Sequence, residues 1–254
     1  MGVPVEGLTL VVPARDEETR LPLTLAEASR KLPGLARRTE IVVVDDGSLD
    51  GTSRVAAGFS SAVPVRVVRL PQNRGKGAAV HAGIEAATCP YVAFTDADCP
   101  YDLFALRPML EVLEARRADV AIGARDLAES SVSRSYGAIR RVSGRALSIL
   151  TRVVIGLPFR DSQCGLKCFR ADTARALFAV RTIDRFGFDF EILAAALDNG
   201  LRIERFPVEL SHHDDSRVEV LRDGMEMIRQ LRQVRRRLRS GGYRMPRESG
   251  RRSD

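Results

Sequence analysis

Four short apolar runs early in the chain each give way to a polar segment, and three of those segments are acidic. Leu8–Val12 leads into Pro13-Ala14-Arg15-Asp16-Glu17-Glu18, and Ile41–Val44 into Asp45-Asp46-Gly47-Ser48. Val65–Leu70 is followed by Asn73-Arg74-Gly75-Lys76-Gly77, and Tyr91–Thr95 by Asp96-Ala97-Asp98. Helical patterns over Leu21–Leu32, Asp50–Phe59 and Gly75–Ala87 separate the runs, and a helix at Phe104–Arg116 leads to a fifth run at Val120–Gly123. β-rich runs alternating with helices predict an α/β fold with a mostly parallel twisted sheet and helices on both faces. Ligands of such sheets bind beyond the carboxyl ends of the strands. The polar segments therefore converge on one edge, where carboxylates close together repel unless a cation or hydrogen-bonding ligand joins them.

Asp96-Ala97-Asp98 is the sharpest of these segments. Two hard oxygen ligands at a strand end suit Mg²⁺ or Mn²⁺, with diphosphate oxygens and water completing the shell. A lone D-x-D is more often an ordinary polar turn; the other three strand ends change that balance.

The second half reads less regularly. A helix is expected over Ile139–Ile155, a strand at Gly165–Phe169, helices at Asp172–Phe178 and Phe188–Asn199, and a last strand at Arg202–Leu210. From Val218 to Leu238, Leu221, Met225, Ile228, Leu231 and Leu238 recur at helical steps with arginines between them, predicting a basic amphipathic helix. The Gly/Pro/Arg/Ser-rich segment from Gly241 reads as disordered. The expected organisation is an N-terminal tail 1–7, a single domain 8–217 (halves 8–125 and 126–217), a basic helix 218–240 and a tail 241–254.

Composition narrows the class. With 44% hydrophobic but only 6% aromatic residues, the core must be mainly aliphatic. The net charge of +7, much of it late in the chain, suits an acidic partner such as phosphate or an anionic membrane surface. The four cysteines show no C-x-x-C spacing, so reduced thiols and a cytoplasmic setting are expected. The N-terminal segment lacks the pattern of a signal peptide, and no apolar run approaches the roughly 20 residues of a membrane span. Any membrane contact is then expected to be peripheral.

The motifs VVPARDEE, VVVDDGSLDGT, NRGKGAAVHAGIEAA and FTDADCP resemble, in order and spacing, the nucleotide-sugar domain of family-2 glycosyltransferases of the GT-A fold. In the second half, RSYGAIRR, RDSQCGLKCFRAD, DRFGFDFEI and HHDDSRVEV resemble the branch of dolichyl-phosphate β-glucosyltransferases and polyprenyl-phosphate mannose synthases. SQCGLK and FDFE lie nearer the glucosyltransferases, and the likeness spans roughly Leu8 to Arg239.

The resemblance implies an inverting hexosyltransferase that takes a nucleotide sugar, UDP-glucose before GDP-mannose, and a polyprenyl or dolichyl phosphate acceptor. It places Pro13, Ala14, Arg15, Asp16, Glu17, Asp46 and Gly47 at the nucleotide, with Arg74 and Lys76 beside them. It places Asp96 and Asp98 at the ribose and the metal on the diphosphate, and Gln163 with the Asp189–Glu191 segment at the sugar. Arg125, Arg134, Ser216 and Arg217 fall near the acceptor phosphate. Asp98, Asp189 and Arg125 form the implied reaction centre, Asp189 serving as base only if the acceptor is a hydroxyl. The chain departs from the mannose synthases at Pro100, where they often carry a metal-assisting Gln. Polar readings of Arg134 as a surface cation, and of Asp189 and Glu191 as structural pairs, stay open.

Three other functions compete. A family-2 enzyme with a soluble hydroxyl acceptor shares the donor motifs. A sugar-nucleotide pyrophosphorylase needs a Gly-rich basic loop after the first strand, which PARDEE is not. A nucleic-acid-binding protein fits the Arg-rich end, yet no recognition module or aromatic stacking platform is present, so no nucleic acid is expected. The resulting expectation is a cytoplasmic enzyme on the inner face of a membrane.

Overall fold

A computed structural model describes residues 4–98, 101–130, 148–209 and 220–245, with side chains in the last segment from 225 onward. The strands are β1 (Val5–Ala14), β2 (Ala36–Asp45), β3 (Val65–Arg69), β4 (Tyr91–Phe94), β5 (Val120–Ala124), β6 (Lys167–Arg170) and β7 (Ile203–Pro207). They form one seven-stranded sheet in the order β3-β2-β1-β4-β6-β5-β7. All pairings are parallel except those of β6, which runs antiparallel to β4 and β5. The predicted mostly parallel sheet is therefore present, and β6 is the exception.

Each central strand is buried on both sides, and alternate residues feed two cores. Leu8, Leu10 and Val12 of β1 face a core with Ile41, Val43 and Ala93, while Val11 faces the opposite one with Val42, Val44 and Phe94. The first core is covered by α1 (Leu21–Lys31), α2 (Thr52–Ala57) and α4 (Leu106–Glu114). The second is covered by α3 (Lys76–Ala86), a helix at 148–155 (α5), α6 (Ala171–Ala179), α7 (Phe188–Asp198) and α8 (Val220–Arg239). Burial on both faces explains why these strands read as continuous apolar runs rather than as alternation. Small residues let α3 approach closely: a Cβ on Gly83 would lie 2.2 Å from Val11 Cγ1.

The main differences from the sequence reading lie at element ends. β1 and β2 begin earlier than their apolar runs, because Ala36–Glu40 pairs with β1 although it is partly polar. The expected helix at Phe104–Arg116 opens with a 3₁₀ turn, Leu103–Ala105, capped by the Asp102 carboxylate at Phe104 N–H. The segment after Gly241 is not uniformly tail-like. Tyr243 is completely buried, its hydroxyl donates to Glu191 Oε1 at 2.7 Å, and its carbonyl accepts from Asn199 Nδ2 at 2.7 Å. Met245 N–H donates to Asn199 Oδ1, so 241–245 is a packed strap and the disordered reading is corrected there. A single buried aromatic with a hydrogen-bond partner outweighs a composition rich in Gly and Arg.

The basic helix also differs from expectation. Leu231 and Val234 of α8 are buried against the domain, whereas Met225 and Ile228 are exposed. Among its described side chains, Met227 and Leu238 also pack partly against the domain, so the apolar stripe is divided between core and solvent.

Candidate active site

The carboxyl ends of β1, β2 and β4 carry the predicted loops, and these loops hold one another. Asp16 takes a positive φ of 53°, which Asp tolerates better than most residues. Its N–H donates to Ser48 Oγ at 3.0 Å and its Oδ1 accepts from Leu49 N–H at 2.9 Å. Glu17 N–H donates to Thr52 Oγ1 at 2.8 Å, and Glu18 Oε2 accepts from Gly51 N–H at 2.9 Å. Arg20 forks onto Glu17 with both contacts at 2.6 Å. The exposed Arg15 lies 3.7 Å from the Asp16 carboxylate.

Pro13 and Ala14 stand apart from the expected loop. Both belong to β1, paired with Val44 and Asp45 and buried, so their side chains belong to the sheet. The polar sequence after Ala14, rather than the Pro itself, ends the strand.

Asp46 is committed to backbone: Oδ1 accepts from Arg74 N–H at 2.7 Å and Oδ2 from Gly75 N–H at 2.8 Å. It therefore shapes the Asn73–Gly77 loop rather than presenting a bare carboxylate. Gly47 is required beside it, with φ at 68° and a virtual Cβ only 2.6 Å from Asn73 N. The Arg74 side chain reaches Asp184 at 3.4 Å.

Lys76 starts α3 and brings its Nζ 2.6 Å from Asp96 Oδ1. Burial favours the neutral form of Asp96, but Lys76, with Lys167 and Arg125 farther off, holds its carboxyl below the usual range. Burial also works against the Lys76 ammonium, and the charges of Asp96, Asp189 and Asp98 push its pKa up instead. Beneath Asp96 lies Gly165, where a Cβ would stand 2.0 Å from Asp96 Oδ2. Gly165 N–H donates to Tyr101 Oη at 3.1 Å, which fixes the backbone there.

The second half supplies two ion pairs, Lys167–Asp189 fully buried and Arg125–Asp161 with the arginine partly exposed. Lys167 Nζ donates to Asp189 Oδ1 and to the Cys164 carbonyl, both at 2.6 Å, with Lys167 1% and Asp189 4% exposed. Arg125 donates to Asp161 through N–H, Nε and Nη2 at 2.9, 2.8 and 2.7 Å. Burial raises the Asp161 pKa, and the Arg125 hydrogen bonds and charge more than reverse that. Gln163 sits beside this pair, and its Nε2 contacts Met227 Sδ of α8 at 3.8 Å.

Glu191 spends its oxygens on structural partners. It is fully buried and accepts from Thr182 N–H, Thr182 Oγ1, Ile183 N–H and Tyr243 Oη. A buried carboxylate is kept only with such partners, and here they tie α7 to the 182–183 turn and the C-terminal strap. Cys164 and Cys168 are buried free thiols, which burial pushes up to about 11 and about 12. Arg134, Ser216, Arg217 and the HHDD segment lie outside the described residues.

The sequence reading missed Asp161, Gly165, Lys167 and Tyr243 as organising residues. A signal for Lys167 was available: a lysine inside the apolar run CGLKCF must find a buried partner.

Asp96 and Asp98 suit a hard divalent cation by ligand chemistry, since Asp96 is held ionised and both present carboxylate oxygens at one strand end. Among the described residues no group of three or more His, Cys, Asp or Glu side chains gathers for a metal.

Comparison with known proteins agrees with this architecture. The sequence model described as glycosyl transferase family 2 matches residues 9–178. The dolichyl-phosphate β-glucosyltransferase of Drosophila melanogaster is 34% identical over 237 residues, covering 88% of this chain and 73% of that protein. The Homo sapiens protein of the same name is 31% identical over 257 residues, covering 95% of this chain and 79% of its own. Among solved structures, glucosyl-3-phosphoglycerate synthase from Mycobacterium tuberculosis, in complex with Mn²⁺, UDP-glucose and phosphoglyceric acid, superposes with a TM-score of 0.67. It is 20% identical, with 91% of this chain and 80% of that one covered, and the likeness establishes a shared GT-A fold. With the family model matching well over half its length, this chain belongs to glycosyl transferase family 2 and is a hexosyltransferase.

Proposed function

We propose that this enzyme transfers glucose from UDP-glucose, or failing that mannose from GDP-mannose, to a polyprenyl or dolichyl phosphate, with inversion at the anomeric carbon. The observation that carries this reading is the 34% identity to a dolichyl-phosphate β-glucosyltransferase across 88% of the chain, which extends beyond the donor half. The nucleotide would lie on the Arg15–Glu17 and Gly47 loops, with Arg74 at its edge and the diphosphate toward Lys76. Asp96 and Asp98 would hold Mg²⁺ or Mn²⁺, which offsets charge on the leaving nucleoside diphosphate when bound.

The state of Asp189 supports a phosphate acceptor. A hydroxyl nucleophile needs a base, but Asp189 is buried and spends Oδ1 on Lys167. A phosphate monoester, with a second pKa near ~6, is already largely dianionic and needs only positioning. Arg125, oriented by its two side-chain hydrogen bonds to Asp161, would offset repulsion between acceptor phosphate and donor, with Gln163 next to it. Arg134, Ser216 and Arg217 complete the proposed acceptor set.

No helix among the described residues is long and apolar enough to cross a membrane. The proposed approach to the lipid is peripheral, at the cytoplasmic face of an anionic membrane. Ile149 and Val153 project from α5, and Arg229, Arg232, Arg235, Arg236 and Arg239 are exposed on α8. Each such arginine near an anionic surface contributes about 1 kcal/mol.

The test is transfer of radiolabel from UDP-glucose and GDP-mannose to polyprenyl phosphate, comparing wild type with Asp98→Ala. Product in the organic phase, lost on chelation and in the variant, is the expected result and names the sugar. Label that stays in the aqueous phase while the protein still binds donor would overturn the lipid acceptor in favour of a soluble one.

A further inference from the structure

At Asp96, one of the two carboxylates of the D-x-D segment, a cation of the chain itself stands at hydrogen-bond distance. Lys76 Nζ lies 2.6 Å from Asp96 Oδ1, while both side chains keep some solvent access. The backbone beneath Lys76 is fixed. Gly75 holds a φ of 108° with a virtual Cβ 2.6 Å from the Asp184 carbonyl, and its N–H is bound to Asp46. The ammonium, by contrast, ends a flexible four-carbon stem with three rotatable donors. The anchor is rigid and the charge is mobile. Its surroundings add a reason to move: Lys167 and Arg125 are engaged by Asp189 and Asp161, whereas Lys76 is the cation in hydrogen-bond contact with Asp96.

We propose that Lys76 competes with a divalent cation for Asp96 and gives it up, turning to the donor diphosphate, only when metal and nucleotide bind together. The inference rests on the donor-site reading above. A metal ion arriving alone must compete for an oxygen that Lys76 occupies, and it then faces the ammonium at short range with no anion between them. A diphosphate removes both obstacles, because its oxygens take the ammonium and supply the remaining metal ligands. Lys76 thereby makes metal and nucleotide binding mutually dependent, and the dependence must be reciprocal. The bare enzyme is also kept from holding a metal at Asp96 without substrate.

The experiment is titration of the full chain with Mn²⁺, followed by the paramagnetic resonance of the free ion, alone and with UDP or GDP. Wild type should bind Mn²⁺ weakly alone and much more tightly with one of the nucleotides. Lys76→Met should bind Mn²⁺ alone about tenfold more tightly than wild type and lose most of the nucleotide enhancement. Lys76→Arg, which keeps the charge, should hold metal alone as weakly as wild type. Lys76→Gln replaces Lys76→Met should that variant fail to fold. Adding Asp96→Asn to the neutral variant should abolish the gained metal affinity. Unchanged metal-only affinity in the folded neutral variants, with nucleotide-assisted binding intact in wild type, overturns the role of Lys76 alone. Absence of nucleotide-assisted Mn²⁺ binding in wild type overturns the donor-site reading and this inference with it.

Discussion

The two halves of the sheet edge handle charge in opposite ways. In the donor half, the loops after β1 and β2 carry acidic side chains that bond mostly to backbone N–H groups and hydroxyls, as Asp16 does at Leu49, Glu18 at Gly51 and Asp46 at Arg74 and Gly75. In the second half, buried carboxylates are matched by cations: Asp189 with the buried Lys167, Asp161 with the partly exposed Arg125. The first arrangement shapes loops, with Asp16 and Glu18 near solvent and Asp46 buried. The second builds a rigid wall. The difference teaches that backbone hydrogen bonds suffice to shape a loop, whereas a charge carried into the interior needs an opposite charge beside it. Gly165 joins the halves, because the loop of the second lies directly under Asp96 of the first.

Breaking the wall should have the largest effect. Asp189→Ala leaves Lys167 buried without its carboxylate, a loss of about 3–5 kcal/mol in stability, measured by denaturant unfolding. Lys167→Met combined with it should recover a substantial part, since an apolar replacement removes the orphaned charge. If Asp189→Ala unfolds like wild type yet abolishes transfer, Asp189 belongs to the chemistry and the wall reading fails.

The junction comes next. Gly165→Ala forces Asp96 to move, and misplacement on the order of 1 Å costs about a hundredfold in kcat/KM. Thermal melting should stay close to wild type. Transfer rates within a fewfold of wild type would show that the two halves are not coupled at this point.

Tyr243 sharpens the contrast away from the substrate. Tyr243→Phe removes a hydrogen bond to the buried Glu191 carboxylate and should cost about 2 kcal/mol. KM for donor and acceptor should not change, because the strap is structural. A selective rise in either KM would place Glu191 in the site after all.

The smallest effect is expected outside both halves. Neutralising Arg232, Arg235 and Arg236 to Gln should shift stability by less than about 0.5 kcal/mol each. Binding to anionic vesicles should weaken by about 1 kcal/mol per residue. Sedimentation with vesicles that is indifferent to these changes would remove α8 from the membrane reading.

Much of the donor half was legible from the sequence because local pattern determines it. Apolar runs buried on both faces announce β1, β2 and β4, and the polar residues after them mark the loops without any knowledge of packing. Asp96, Lys76 and Gly47 are where the strand-end argument put them. Pro13 and Ala14 lie in β1 rather than in the loop after it, because they pair with Val44 and Asp45.

The acceptor half was less legible for a physical reason. Its organising contacts join residues far apart in the chain, and a sequence window shows only one partner. Lys167 in an apolar run demanded a partner but did not identify Asp189. Glu191 resembled a sugar-facing carboxylate until Thr182, Ile183 and Tyr243 were seen to use its oxygens. Tyr243 sat in a composition that predicts disorder, yet its ring fills a site that α7 and α8 create.

The sequence by itself determined the α/β alternation, the edge on which the chemistry gathers and the family to which the chain belongs, because these follow from local periodicity and from motifs in fixed order. Only the tertiary structure decided which charges are spent on holding the fold and which stay available to a ligand. A carboxylate's role depends on what lies within about 3 Å of its oxygens, and for Asp46, Asp189 and Glu191 that is fixed by chain segments brought together in folding.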